Sequence, residues 1–237
     1  MRDFSGIVRH VGAAAPRVLV VGDVILDRWL RGGVRRLSRE APVPVVQEAE
    51  QVDCPGGAGN TAANLAALGA RVRVVAEVGD DAEGAALRDR LAAAGVDTAG
   101  LLVDGGRPTA CKTRVVGDDQ ILVRVDRARP ARADTDRLLA AIAPEPDETL
   151  VVCDYDGGLL GDELARRLAE RRPRARIVVD AHDIARWAPL RPDLVTPNAA
   201  EAAVLLGRAL PEGRRAPRTW PPRRPRCSTR RAPSARS

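Results

Sequence analysis

The chain has 237 residues, enough for one sizeable domain with a real core, and its net charge of +6 would point toward nucleic acid or an acidic membrane if it were evenly spread. It is not: residues 208–237 hold ten arginines against one acid, Glu212, which leaves residues 1–207 at −3 and argues against a nucleic-acid partner for the body of the chain. Cys54, Cys111, Cys153 and Cys227 stand far apart with no C-x-x-C pair, and no apolar run approaches a membrane span; these features argue against zinc, a disulfide framework and a membrane partner, and favour a reducing cytoplasm.

Residues 1–16 read as an N-terminal extension. Residues 17–22 are a short apolar run ending in Gly-Asp, the pattern of a buried strand feeding a loop. The segment 43–52 alternates apolar and polar residues and carries Pro44, with Pro42 just ahead, which suits a half-exposed strand at an edge or in a flap. A small-residue helix is predicted over 58–68, ended by Gly69, then a strand over 71–76. A helix over 82–94 follows, with Leu87 and Leu91 on one face and Gly95 as its stop. Residues 109–116 and 120–125 are β-type runs around Gly117-Asp118-Asp119, a hairpin pattern. Helix 134–143, strand 149–153, helix 159–171, strands 176–179 and 193–196 and helix 199–206 complete the pattern. This alternation predicts an α/β fold, a mainly parallel sheet flanked by helices, with a small β lid from about 43–54 and 109–126. Residues 208–237 hold six prolines and no hydrophobic period, so they are expected to form a disordered basic tail.

The sharpest local signal is Pro55-Gly-Gly-Ala-Gly-Asn60. Its glycines let backbone N–H groups approach a ligand, and Asn60 brings an amide to the start of the next helix. Gly57-x-Gly59-x-x-Ala62 with Glu77 downstream also satisfies a dinucleotide fingerprint, but the polar run 47–53 is not the buried strand such a fingerprint follows. Asp23 and Asp27 follow the first strand, where α/β proteins bind ligands; Asp23 either grips hydroxyls or caps a following helix. Asn198-Ala-Ala-Glu201 is a capping box by chemistry alone, or else a pair facing hydrated Mg²⁺ and nucleotide phosphates. Lys112 is the only lysine and shares a strand face with Arg114, either as an anion clamp or as a solvated edge. His182 has no partner at metal-ligand spacing and reads as peripheral.

Together, the strand–Gly22-Asp23 unit, Gly56-Gly57-x-x-Asn60, Val78-Gly79-Asp80-Asp81-Ala82-x-Gly84 and Asn198-x-x-Glu201 resemble the ribokinase-like (PfkB) carbohydrate kinases over residues 17 to about 207. Gly22-Asp-Val-Ile-Leu-Asp27, the run from Arg36 to Val45, Asp154-Tyr155, Asp180 and Thr196-Pro197-Asn198 look most like the bacterial heptose 7-phosphate kinases. The resemblance implies that Asp23, Gly56, Gly57 and Asn60 hold sugar hydroxyls, that Asn198 and Glu201 organise Mg²⁺ and ATP, and that the lid closes the site and pairs subunits as a homodimer. Charge alone nominates Arg36, Lys112 and Arg114 for a substrate phosphate. Two departures stand out: Arg39 replaces an expected proline, and Asp156-Gly157 stands where many relatives carry a basic residue.

The family's Gly-Ala-Gly-Asp motif, which supplies an anion hole and the catalytic base, has no counterpart in the chain. Residues 17–207 are therefore expected to be a partial kinase domain without a catalytic residue. Residues 208–237 are expected to be the product of a reading-frame change near Gly207. The expected function is phosphorylation of a sugar phosphate by the family, with activity of this chain in doubt. The other readings are a non-catalytic sugar-phosphate-binding or regulatory protein, and a basic-tailed binder of nucleic acid or membrane surfaces.

Overall fold

Five consecutive residues of Arg17–Gly22 (β1) are buried, because this strand lies inside a parallel sheet with apolar cover on both faces. The computed structural model describes residues 6, 12–127, 134–145, 147–171 and 173–208. In chain order after β1 come strands Val24–Leu37 (β2) and Pro44–Gly57 (β3), helix Ala58–Ala67 (α1), strand Arg71–Gly79 (β4), helix Ala82–Ala93 (α2) and strand Leu101–Asp104 (β5). Strands Cys111–Gly117 (β6) and Gln120–Arg127 (β7) are followed by helix Thr135–Ala141 (α3), strand Thr149–Asp154 (β8), helix Asp162–Arg171 (α4) and strand Arg176–Ala181 (β9). A 3₁₀ turn over Ala185–Leu190, strand Leu194–Val195 (β10) and helix Ala199–Leu205 (α5) complete the described chain.

The main sheet has the order β10-β9-β8-β1-β4-β5, and every pairing in it is parallel. From β1 the sheet grows to one side through β4 and β5, then restarts on the other side with β8. The crevice between β1 and β8 is therefore a topological switch point, where the connections leave in opposite directions and open sheets of this kind bind ligands. The core below it is built from Leu19, Val20, Val74, Leu87, Leu91, Leu138, Leu150, Leu164, Leu168 and Trp187, among others.

The lid sheet has the order β3-β2-β6-β7. It contains a strand the sequence pattern did not predict: β2 leaves Asp23 directly, pairs antiparallel with β3 and parallel with β6. No helix follows Asp23, so the helix-cap alternative for that residue is excluded. The predicted glycine loop also differs, since β3 runs on through Pro55, Gly56 and Gly57 before α1 begins. Pro55 is tolerated there because β3 is an edge strand. The hairpin between β6 and β7 turns through Asp118 and Asp119, both at positive φ (47° and 65°), as a two-residue turn of this hand requires. Residues 209–237, which include Cys227 and nearly all of the expected tail, lie outside the described residues, as does most of the N-terminal extension.

Candidate functional site

The site is organised by the carboxylate of Asp23, which β1 delivers to the switch point. Three backbone donors of the loop after β8 converge on it: Tyr155 N–H (3.1 Å) and Gly157 N–H (3.0 Å) on Oδ2, and Leu159 N–H (3.2 Å) on Oδ1. Burial pushes the Asp23 pKa up, the three N–H donors pull it back, and the net result stays above the ordinary aspartate value. Gly157 is required by this contact, because a Cβ there would lie 2.5 Å from the Asp23 carboxyl carbon.

A cavity of ≈ 240 Å³ opens beside Asp23. Val24 and Ile25 of β2 form one wall, and Tyr155, Asp156, Gly157 and Leu159 form the floor. Ala110, Lys112, Asp126 and Arg127 of the lid, with Glu77 and Arg107, close the rest. Most of its charges are compensated within the chain. Arg107 pairs with Glu77 (2.5 Å) and Asp104 (2.6 Å), Asp126 receives both arms of Arg124, and Asp156 meets Arg186. Arg127 pairs with Glu83 at 3.2 Å, and Glu83 also receives Arg28, itself held bidentately by Asp53. Lys112 is different: among the described residues it makes no hydrogen bond or ion pair, although it is half-buried in the cavity wall.

The other residues nominated from sequence are distributed unevenly. Arg114 shares the lid with Lys112, but its guanidinium donates to Asp27 at 2.5 Å and lies 4.8 Å over the Trp29 ring. Arg36 is exposed near the distal end of β2, nine residues beyond Asp27, or about 30 Å along an extended strand. Gly57 has φ +56 and sits so close to Asp23 that a Cβ would lie 2.3 Å from the Asp23 carbonyl oxygen; Gly56 is packed as tightly against Asp27. Asn60 is exposed on the first turn of α1 and accepts a hydrogen bond from Asn64. None of these five residues lines the cavity. The dinucleotide reading loses its context, since β3 is an antiparallel lid strand and Glu77 is bound to Arg107.

Asn198 and Glu201 form the capping box at the start of α5. Asn198 Oδ1 accepts from the Ala200 and Glu201 N–H groups, and Glu201 Oε2 accepts from the Asn198 N–H at 2.8 Å. His182 Nδ1 lies 2.9 Å from the other Glu201 oxygen, so this histidine contacts the capping box. The Asn198 N–H and His182 hold the Glu201 pKa below its ordinary value. Arg107, Asp126 and Arg127, which line the cavity, were missed from sequence because each acquires its place through non-local pairing. Asp154-Tyr155 at a strand end was the signal that could have found the loop holding Asp23. Buried Asp154 anchors that loop by accepting from Arg186 and from the indole N–H of Trp187, each at 2.9 Å.

The comparisons with known proteins address the family and the fold. The model of the pfkB family carbohydrate kinases matches residues 15–217. The bifunctional protein HldE of Acidiphilium cryptum is 39% identical over 209 residues, covering 85% of this chain and 43% of that protein. That of Pseudomonas aeruginosa strain LESB58 is 39% identical over 203 residues, covering 82% and 41%. The chain thus spans about two fifths of the length of these curated relatives. Escherichia coli phosphofructokinase-2, solved with substrates and products, superposes with a TM-score of 0.65 at 19% identity, covering 83% of this chain and 65% of that one. Arabidopsis thaliana ribokinase, solved with ribose and ATP, does so with a TM-score of 0.57 at 17% identity, covering 81% and 63%. Those structures establish the ribokinase-like fold, and the family match over residues 15–217 makes this chain a member of the pfkB carbohydrate kinase family.

Proposed function

We propose that the chain binds a sugar phosphate of the heptose 7-phosphate class in the cavity beside Asp23, and that the reaction it serves is transfer of the ATP γ-phosphoryl group to a hydroxyl of that sugar. The observation that carries the reading is Lys112, the cavity cation left without a partner among the described residues while its neighbours are neutralised. A half-buried ammonium gains from an anion that supplies its missing counter-charge. Lys112 is thus the proposed phosphate ligand. Arg114 would have to release Asp27 to join it, and Arg36 stands at the far end of the lid. Asp23 is assigned to the hydroxyl end, with Gly56, Gly57 and Asn60 bounding that side by family resemblance.

On the nucleotide side we assign Mg²⁺ and ATP to Asn198 and Glu201. Both Glu201 oxygens are already hydrogen-bonded, and among the described residues no three His, Cys, Asp or Glu side chains converge. The donor set therefore fits a hydrated Mg²⁺ approached through water rather than directly ligated. When bound, the ion would neutralise charge on the phosphates. The 237 residues contain no Gly-Ala-Gly-Asp sequence, so this polypeptide by itself is proposed to bind without appreciable turnover, which also leaves room for a regulatory binding role. Among the described residues no helix is long and apolar enough to cross a membrane, which fits the proposed cytoplasmic location. The exposed β7 edge of the lid is the proposed contact for a second copy.

Calorimetric titration with heptose 7-phosphate and with the unphosphorylated heptose tests the reading. The phosphorylated sugar should bind more tightly, and Lys112→Gln should weaken it by about tenfold, or 1.4 kcal/mol, with little effect on the free sugar. Equal binding of the two sugars by the unaltered chain would sink the assignment.

A further inference from the structure

Helix α5 buries none of its residues, yet its first turn is held in place. Two tethers do this. Thr196, two residues ahead of the cap, donates its hydroxyl to Asp180 Oδ1 at 2.9 Å, and His182 Nδ1 meets Glu201 Oε1 at 2.9 Å. Both tethers lead to Tyr155. Its phenol donates to Asp180 Oδ2 at 2.5 Å, and its ring lies 5.7 Å from the His182 ring at an interplanar angle of 58°. Tyr155 also lines the cavity and donates its own N–H to Asp23. An unbroken line of contacts therefore runs from the cavity floor, across the carboxyl ends of β8, β9 and β10, to the cap of α5.

We infer that Tyr155 and His182 are positioning residues that transmit occupancy of the cavity to the Asn198–Glu201 turn. The inference rests on the sugar-phosphate reading of the cavity. Tyr155 is pinned at both ends, by its N–H on Asp23 and its hydroxyl on Asp180, so a ligand that fixes the loop at Asp23 also fixes the phenol. Hydrogen bonds to carboxylates are strong and directional, and Asp180 passes the constraint to Thr196 on its other oxygen. Contiguity alone does not establish coupling; an element with two arrangements is needed. The inference assigns that role to the first turn of α5, docked here by both tethers and, with no buried residue to hold it, expected to fray when they slip.

Hydrogen exchange on the full chain, with and without heptose 7-phosphate, tests this. In the unaltered protein the ligand should slow exchange both in the 155–159 loop and at the start of α5, the latter by about fivefold. Tyr155→Phe, which alters the cavity floor, and His182→Ala, which does not, should both lose the α5 response, and His182→Ala should keep the loop response. Tyr155→Phe keeps the ring, and His182 is more than half exposed, so both variants should fold. Slowing of α5 that is undiminished in Tyr155→Phe and His182→Ala overturns the inference, as does a loop response in the unaltered protein with no α5 response. If the loop itself does not respond, the cavity reading fails and the inference fails with it.

Discussion

At the scale of single residues, the unusual feature is that Asp23, the carboxylate we propose for the sugar hydroxyls, is already occupied from behind. Asp23 spends three of its acceptor positions on backbone N–H groups, which leaves one direction toward the cavity. Asp23→Ala would strip those donors of their acceptor, so we expect a loss of about 2–4 kcal/mol in denaturant unfolding together with loss of ligand binding. The titration has a definite sign. The folded-state pKa is raised, so ionising Asp23 costs stability: its contribution favours the fold below the unfolded pKa and is lost as pH rises through the folded one. Ligand affinity should run the other way, because an ionised carboxylate accepts from sugar hydroxyls. Affinity for heptose 7-phosphate should fall as the solution is acidified, with a midpoint above that of an ordinary aspartate, and Asp23→Asn should flatten the profile in calorimetry.

Between elements, the link between β4 and the start of β8 is the clearest electrostatic joint. Arg73 grips buried Glu148 with two bonds of 2.8 and 2.7 Å, and the Glu145 N–H adds a third donor. Burial alone would raise the Glu148 pKa, but these donors outweigh it and the net value is lowered. Its stabilisation is therefore present above the unfolded glutamate pKa and lost as pH falls through the folded one. Glu148→Gln should cost about 2 kcal/mol at neutral pH, less than a fully buried pair because Arg73 is partly exposed, and the difference should shrink in acid melts. Most main-sheet elements were legible in sequence because they carry their own apolar signature, as in Val18–Val21 or Leu87 and Leu91; the four-residue edge strand β5 was not, because so short a run has no period of its own and is set by its pairing with β4. The lid was only half legible. β2 is central in its sheet but mixes Arg28, Arg31, Gly32, Gly33 and Arg35 with isolated apolar residues, so its pairing with β3 and β6 decides its conformation. For the same reason Lys112 was visible as a cation, whereas its lack of an ion pair among the described residues, with Asp27 and Asp126 in register beside it but engaged by Arg114 and Arg124, was not. Arg36 and Arg114 have the same charge and differ only in tertiary placement.

At the scale of the molecule, two surfaces are apolar where a monomer would ordinarily be polar. On one, Leu194, Val204, Leu205 and Leu206 are exposed around β10 and α5, with Val204 83% accessible; on the other, Ile121, Val123 and Val125 stand out along β7. Exposed apolar side chains of this kind favour association where they adjoin. Sedimentation should show concentration-dependent self-association, and Val204→Glu or Ile121→Lys should each reduce it through the patch it alters; unchanged sedimentation in both would show that neither patch is sticky in solution. The core against the main sheet and the lid carry different tryptophans. Trp187 is fully enclosed in the core with its indole N–H on Asp154, whereas Trp29 lies in the lid beneath the guanidinium groups of Arg31 and Arg114. In a Trp220→Phe background, the enclosed indole should emit at short wavelength until the main sheet melts. The cation-flanked indole should change colour and brightness whenever the lid moves. Core and lid are thus each wired with their own intrinsic fluorophore, and lid motion can be told from unfolding in a single cuvette without a dye.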